Sequence, residues 1–179
     1  SSINGFLEDY AFVIEAYLNI YPATKNEIWL HRAKSLAEYV LKHFSDQSSP
    51  ILYFTSTLDA PLITRNMETQ DNVIPASNSQ MARNFLRLGH YFSNTEWIAR
   101  AGKMLSYFTE DIIHYCPGYS NWAILSLELS YPFHEVAIVG KNVDDFFGSL
   151  RKHYLPNTIF AISDKESAMP LLEGRFKDK

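Results

Sequence analysis

The chain has 179 residues, 46% of them hydrophobic and 20% charged, with a formal net charge of −4. That balance fits one soluble globular domain or slightly more, and excludes a disordered chain. The acidic balance and the absence of a basic patch exclude nucleic acid as a partner, since phosphate-backbone binding needs clustered Lys and Arg. Cys116 is the single cysteine, which excludes an internal disulfide and a cysteine-rich metal site.

In chain order, the first helix is expected over about 7–20. Phe6, Tyr10, Val13, Ile14, Tyr17 and Leu18 cover most of its circumference, the pattern of a helix buried on several sides. A second helix, about 27–44, follows Asn26 as N-cap. Its apolar stripe is Leu30, Ala33, Leu36, Ala37, Val40 and Leu41, with His31, Lys34, Glu38 and Lys42 facing away. A short β-hairpin is expected next, from Ile51–Thr55 and Pro61–Arg65 around a turn at Leu58-Asp59-Ala60. Ser77 and Gln80 then have the spacing of a capping box, opening a third helix to about Tyr91. A fourth runs from Thr95 to about Tyr115 behind Asn94. After Pro117-Gly118 comes a fifth, strongly apolar helix that stops at Pro132.

Beyond Pro132 the period changes. Val136–Gly140 and Thr158–Ile162 read as strands, with a helix from Val143 to about Tyr154 between them behind Asn142. This is a βαβ unit, whose strands are expected to be parallel. The division expected is a helical part over 1–132 and a βαβ appendage over 133–179.

The helical part repeats itself with an ungapped offset of 68 residues. Tyr17, Leu18 and Ile20 align with Phe85, Leu86 and Leu88; Asn26, Trp29 and Ala33 with Asn94, Trp97 and Ala101; Leu36 and Tyr39 with Met104 and Tyr107. Each copy is a helix hairpin, and a recurring unit of this kind has its apolar face covered by the next copy. The period exceeds the roughly 34–47 residues of common helical solenoids.

No apolar run approaches the roughly 20 residues of a membrane span, and Ser1-Ser2-Ile3-Asn4-Gly5 lacks the layout of a signal peptide. No membrane partner and a cytoplasmic location are therefore expected, with Ser1 lying inside a longer protein. The six histidines are scattered, with no metal-ligand spacing. No metal or other cofactor is expected.

Gly5-Phe6-Leu7-Glu8-Asp9-Tyr10-Ala11, Asp71–Ser79 and Glu135-Val136-Ala137-Ile138-Val139-Gly140 together resemble the spermatogenesis-associated protein 20-like family. The resemblance runs over nearly the whole chain. It implies a mainly α fold, part of an (α/α) toroid of the six-hairpin glycosidase and N-acylglucosamine 2-epimerase kind, of which this is the C-terminal part. It also implies an upstream thioredoxin-like domain and earlier hairpins as partners within the same protein. The function implied is that of a carbohydrate-active-like protein, a hydrolase or epimerase relative acting on a sugar-like small molecule. The alternative is a non-catalytic helical scaffold that docks the thioredoxin-like domain or a client protein.

If such a site exists, Glu8, Asp9 and Asp71 are its candidate catalytic carboxylates, because the offset sets Asp9 and Ser77 at equivalent helix starts. Inverting glycosidases hold two carboxyls roughly 6.5–9.5 Å apart, comparable with the spacing of packed helices. The plainer reading is that Asp9 caps its helix. Tyr10, Tyr53, Arg65 and Asn78 are candidate substrate-binding groups, Arg65 through its planar fork. Packing, capping and neutralising Asp71 or Asp9 are the competing roles.

Overall fold

A computed structural model describes residues 4–46, 48–60 and 63–176. The described chain is mainly helical. Its order is α1 (Leu7–Thr24), α2 (Ile28–His43), α3 (Ser77–Tyr91), α4 (Thr95–Leu105), α5 (Thr109–His114), a 3-10 turn at Cys116–Tyr119, α6 (Ser120–Ser130), β1 (His134–Val139), α7 (Val143–Leu150) and β2 (Thr158–Ser163).

The two hairpins of the repeat are α1–α2 and α3–α4. Equivalent aromatic pairs close them, Tyr17 on Trp29 with centroids 5.3 Å apart and Phe85 on Trp97 at 5.9 Å. Equivalent residues also make their turns: Lys25 (φ 56°) and Ser93 (φ 50°) are left-handed, a conformation uncommon outside glycine. The Asn94 side chain accepts from the Trp97 amide at 3.1 Å, the expected N-cap. Asn26 instead sits one residue before the helix cap and accepts from Ile28 N–H at 3.1 Å. Leu7, Ala11, Ile14 and Leu18 of α1 share the main core with Leu30, Ala33, Ala37 and Val40 of α2, all fully buried. Their spacing of three and four is the core stripe of paired helices.

Burial of α1 differs from expectation. The apolar α1 is buried on one stripe and exposes Val13 and Ile20 at 41% and 38%, with its N-cap Phe6 at 44%. The polar-looking α3 has twelve of its fifteen residues buried, because it touches α1, α2, α4 and α6.

Three boundaries also move. Pro22 withdraws one amide from the last turn of α1 without ending it; Thr24 Oγ1 donates to Ile20 O there at 3.1 Å. The expected fourth helix is two, α4 and α5. The turn between them sends Phe108 inward against Trp122 (4.5 Å) and Tyr119 (5.9 Å). The capping box at Ser77 and Gln80 does not form: Ala76 is the N-cap, and the Gln80 amide donates to Asn84 instead.

The expected β-hairpin is also corrected. Pro61 and Leu62, part of its second strand, lie outside the described residues, and the described remainder has no ladder. One backbone bond crosses, from Phe54 N–H to Asn66 O at 2.7 Å. Other backbone groups of the segment are drawn to helix ends. Leu7 N–H donates to Phe54 O (2.9 Å) and Tyr53 N–H to Phe44 O (2.8 Å). The segment is a strap across the start of α1 and the end of α2.

The βαβ unit forms as expected, with β1 and β2 parallel and His134 opposite Thr158 through Val139 opposite Ser163. Ile159 and Ala161 of β2 enter the main core, while Ile138, Val143 and Ile162 make a smaller cluster with Phe147 and Leu150 of α7. Tyr21 of α1 holds the edge of β2: its hydroxyl accepts from Ile162 N–H (2.9 Å) and donates to Ile162 O (3.2 Å). Tyr91 of α3 donates to Phe160 O at 3.3 Å.

Two outcomes are expected. A Cβ at Gly89 would lie 2.5 Å from Ile98 Cγ1 and 3.0 Å from the Asn94 carbonyl, so Gly89→Ala is expected to cost about 1–3 kcal/mol in a denaturant titration. Burial pushes the Tyr21 hydroxyl up from 10.0 to about 12. A raised folded value contributes stability that is present below pH 10 and is lost as pH rises through about 12. Tyrosinate absorbance and helix content followed from pH 9 upward are expected to change together across that window, and Tyr21→Phe is expected to remove the Tyr21 part of the change.

Candidate functional site

The candidate residues fall into three groups at the end of the molecule where α1 and α3 begin and α2 ends. At the start of α1, the Asp9 carboxylate accepts from Phe6 N–H at 2.8 Å. It thus occupies the third helical position and supplies the reciprocal half of a cap, not the N-cap itself. Glu8 beside it is half-buried and makes no hydrogen bond among the described residues. Tyr10 stacks on Tyr39 (5.2 Å) and meets the edge of Phe44 (5.3 Å). Burial, and secondarily a hydrogen bond with Tyr39, pushes its hydroxyl up to about 12. Gly5, Asp9, Tyr10, Val13 and Leu36 line a shallow cleft of about 150 Å³.

At the end of α2, the Arg65 guanidinium lies 4.0 Å from the centroid of the Tyr53 ring. Its Nη2 donates to Thr55 O and, at 3.4 Å, to His43 O in the last turn of α2. A cation at this place suits the carbonyl end of a helix. Arg65 Nε is buried without a partner among the described residues. The Tyr53 hydroxyl donates to Asp46 Oδ2 at 2.6 Å, and Asp46, bonded first by Ser48 and then by Tyr53, is drawn down to about 2. Arg65 therefore engages Tyr53 and backbone carbonyls, and forms no ion pair with Asp71 or Asp9 among the described residues.

At the start of α3, Asp71 is only 7% exposed. Its Oδ1 accepts from Ala76 N–H and Ser79 Oγ, both at 2.8 Å, and its Oδ2 from Asn121 N–H at 2.8 Å. One carboxylate thus meets free amides at the first turns of both α3 and α6, where the positive helix ends favour it. The Asn121 amide adds a 3.0 Å bond to Ser79 Oγ, and Asp71 N–H donates to Gly118 O at 2.7 Å. Asn78 is spent on the backbone: its oxygen accepts from Leu52 N–H (2.7 Å), and its nitrogen donates to Leu52 O (2.9 Å) and Glu68 O (2.8 Å).

The strap links all three groups, through Phe54 to α1, Tyr53 to the end of α2 and Leu52 to α3. No hydrogen bond or ion pair joins Asp71 to Glu8 or Asp9 among the described residues. Several groups at this end were not singled out as site residues from the sequence. Glu68 accepts from Ser77 N–H at 2.9 Å, Trp122 Nε1 donates to Thr69 O at 2.8 Å, and Asn84 donates to Ala11 O at 2.7 Å. A polar residue on the apolar side of α3's wheel was the available cue for Asn84. Nothing local marks Asn121, whose partners are 38, 42 and 50 residues away.

Among the described residues, no group of three or more His, Cys, Asp or Glu is placed to hold a metal ion. Nor is any described helix long and apolar enough to cross a membrane.

Fold and site together define a helix-hairpin repeat protein whose helix starts are pinned by buried polar side chains. The chain is homologous to spermatogenesis-associated protein 20. It is 36% identical to the human protein over 107 residues, 59% of this chain, and 37% identical to the mouse protein over 108 residues. An uncharacterized protein of Caenorhabditis elegans is 29% identical over 102 residues, 56% of this chain. The matched region spans 14% of the length of each of these relatives. No protein-family model matches the chain.

The Asp71 arrangement gives a direct expectation. Asp71→Asn keeps the shape but sets an amide group against donors, so about 2–3 kcal/mol of stability is expected to be lost. A lowered melting temperature with weakened amide protection at Ala76 and Asn121 is the readout.

Proposed function

We propose that this region is a scaffold segment of a larger helical ring, with neighbouring hairpins of the same protein covering the outer faces of α1 and α6. One observation carries the reading. The exposed α1 stripe Val13, Ala16 and Ile20 corresponds, 68 residues on, to Met81, Asn84 and Leu88 of α3, all fully buried. Asn84 in that set donates to Ala11 of α1. The surface that α3 turns toward its preceding helix is the surface that α1 leaves open, as expected where one more inner helix comes before it. At the other end, Ile124 and Leu127 of α6 and its C-cap Tyr131 are 44%, 57% and 64% exposed, also an unfilled apolar face. The toroid implied by the family resemblance is completed in this way. The scaffold role is supported by the carboxylates: Asp71 has three donors and Asp9 one, all within the fold.

The sugar-enzyme reading has one observation in its favour. Glu8, half-buried in the first turn of α1, has a carboxylate with no partner among the described residues, adjacent in sequence to Asp9 and Tyr10 of the shallow cleft.

The test uses a full-length protein containing these residues. Val13→Asp and, separately, Leu127→Asp are each expected to lower its stability by about 2 kcal/mol or more, since each places a charge in a covered apolar face. If both changes stay within about 0.5 kcal/mol, as on a solvated surface, the faces are open and the ring reading is wrong. A Glu8→Gln variant that abolishes turnover of a sugar at unchanged melting temperature would instead favour the enzyme.

A further inference from the structure

The two edges of the small sheet are treated differently. His134 N–H donates to Asn157 O at 2.7 Å and Gly140 N–H to Ser163 O at 3.1 Å. With the parallel register, these bonds fix the parity of the ladder. His134, Val136 and Ile138 turn their backbone groups toward β2, and Glu135, Ala137 and Val139 turn theirs away. On β2 the even-numbered residues face outward, and two of them are met by side chains: Ile162 by Tyr21 and Phe160 by Tyr91. The outward amides and carbonyls of Glu135, Ala137 and Val139 have no partner among the described residues. Ala137 and Val139 are half-buried and Glu135 is exposed.

We propose that the outer edge of β1 takes a third strand, supplied by the same protein from outside these 179 residues. Three observations favour that occupant. Two strands alone are marginal, and three or more are the usual minimum for a stable sheet. The β2 edge is already held by tyrosines of α1 and α3, so β1 offers the open edge. The matched region spans 14% of each relative's length, so a full-length protein of this kind has ample chain to supply a strand.

The chemistry of the strand follows from the layers. Val136 and Ile138 face α7, while Ala137, Ile159 and Ala161 join the main core on the other face. A strand beside β1 lies between the same two layers. It is expected to be a nearly continuous apolar, β-branched run of about five residues, as in sheets covered on both faces, not an alternating one. The inference is independent of how the ring closes.

The test is residue-resolved amide hydrogen exchange on a full-length protein, at two concentrations, with and without Ala137→Pro. Ala137 does not bond to β2, so proline there removes an outward donor and leaves the β1–β2 ladder in place. Exchange at Ala137 and Val139 is expected to be slowed on the order of 100-fold or more relative to an open edge, at both concentrations. In the variant, Val139 is expected to lose that protection while Ile138 keeps its own. Fast exchange at both amides in the unaltered protein would overturn the proposal. So would protection that rises with concentration, which means a second copy, or protection at Val139 that survives Ala137→Pro, which means a cover that is not a strand.

Discussion

The structure depends on how α3 is buried. A helix enclosed by four others is ordinarily apolar all round, yet α3 carries Ser77, Asn78, Ser79, Gln80 and Asn84 into the interior. A buried polar group without a partner costs about 1–3 kcal/mol, so each of these side chains dictates where another segment lies. Asn78 fixes the strap at Leu52, Asn84 fixes α1 at Ala11, and Ser79 joins Asp71 and Asn121 to fix α6. Two are exceptions: Gln80 bonds to Asn84 within α3, and Ser77 Oγ has no partner among the described residues. The apolar contacts supply the driving force, and these bonds select one arrangement among the many that apolar contacts alone permit.

This explains which parts of the fold could be read from the sequence. Both hairpins were legible because their evidence is local and doubled: the Trp29 and Trp97 pairs, the Asn26 and Asn94 turns, and the apolar spacing of α2. The βαβ unit was legible from two β-branched runs around a short helix. The strap was misread as a hairpin strand because Ile51–Thr55 has strand composition, while the groups that capture its backbone lie in α1, α2 and α3. The split between α4 and α5 was hidden for a similar reason, since Phe108 turns toward Trp122, a partner remote in sequence. The burial of α1 was overread: composition made it look enclosed, whereas it is covered on one stripe, and α3, packed against four helices, is the enclosed one.

The candidate site was legible as a place more than as a chemistry. The 68-residue offset aligned Asp9 with Ser77, and both lie in first helical turns, Asp9 at the third position of α1 and Ser77 at the first of α3. The candidates' competing structural roles are the ones with visible partners. Asp9 and Asp71 accept helix-start donors, Arg65 covers carbonyls at the end of α2, and Asn78 clamps a backbone. Such roles require the residue types a sugar site requires, namely carboxylates, an arginine and an amide. Residue type alone therefore could not separate the two.

The most direct test of the central claim, that buried polar bonds hold α3 and position its neighbours, is a double-mutant cycle between Asp71→Asn and Asn78→Ala in a full-length protein, read by denaturant titration. Each single change is expected to cost on the order of 1–3 kcal/mol. The pair is expected to cost less than their sum by at least about 0.5 kcal/mol, because both hold the same helix start. Single losses below about 0.5 kcal/mol that simply add would mean that α3 is held by apolar packing alone, and would contradict the claim.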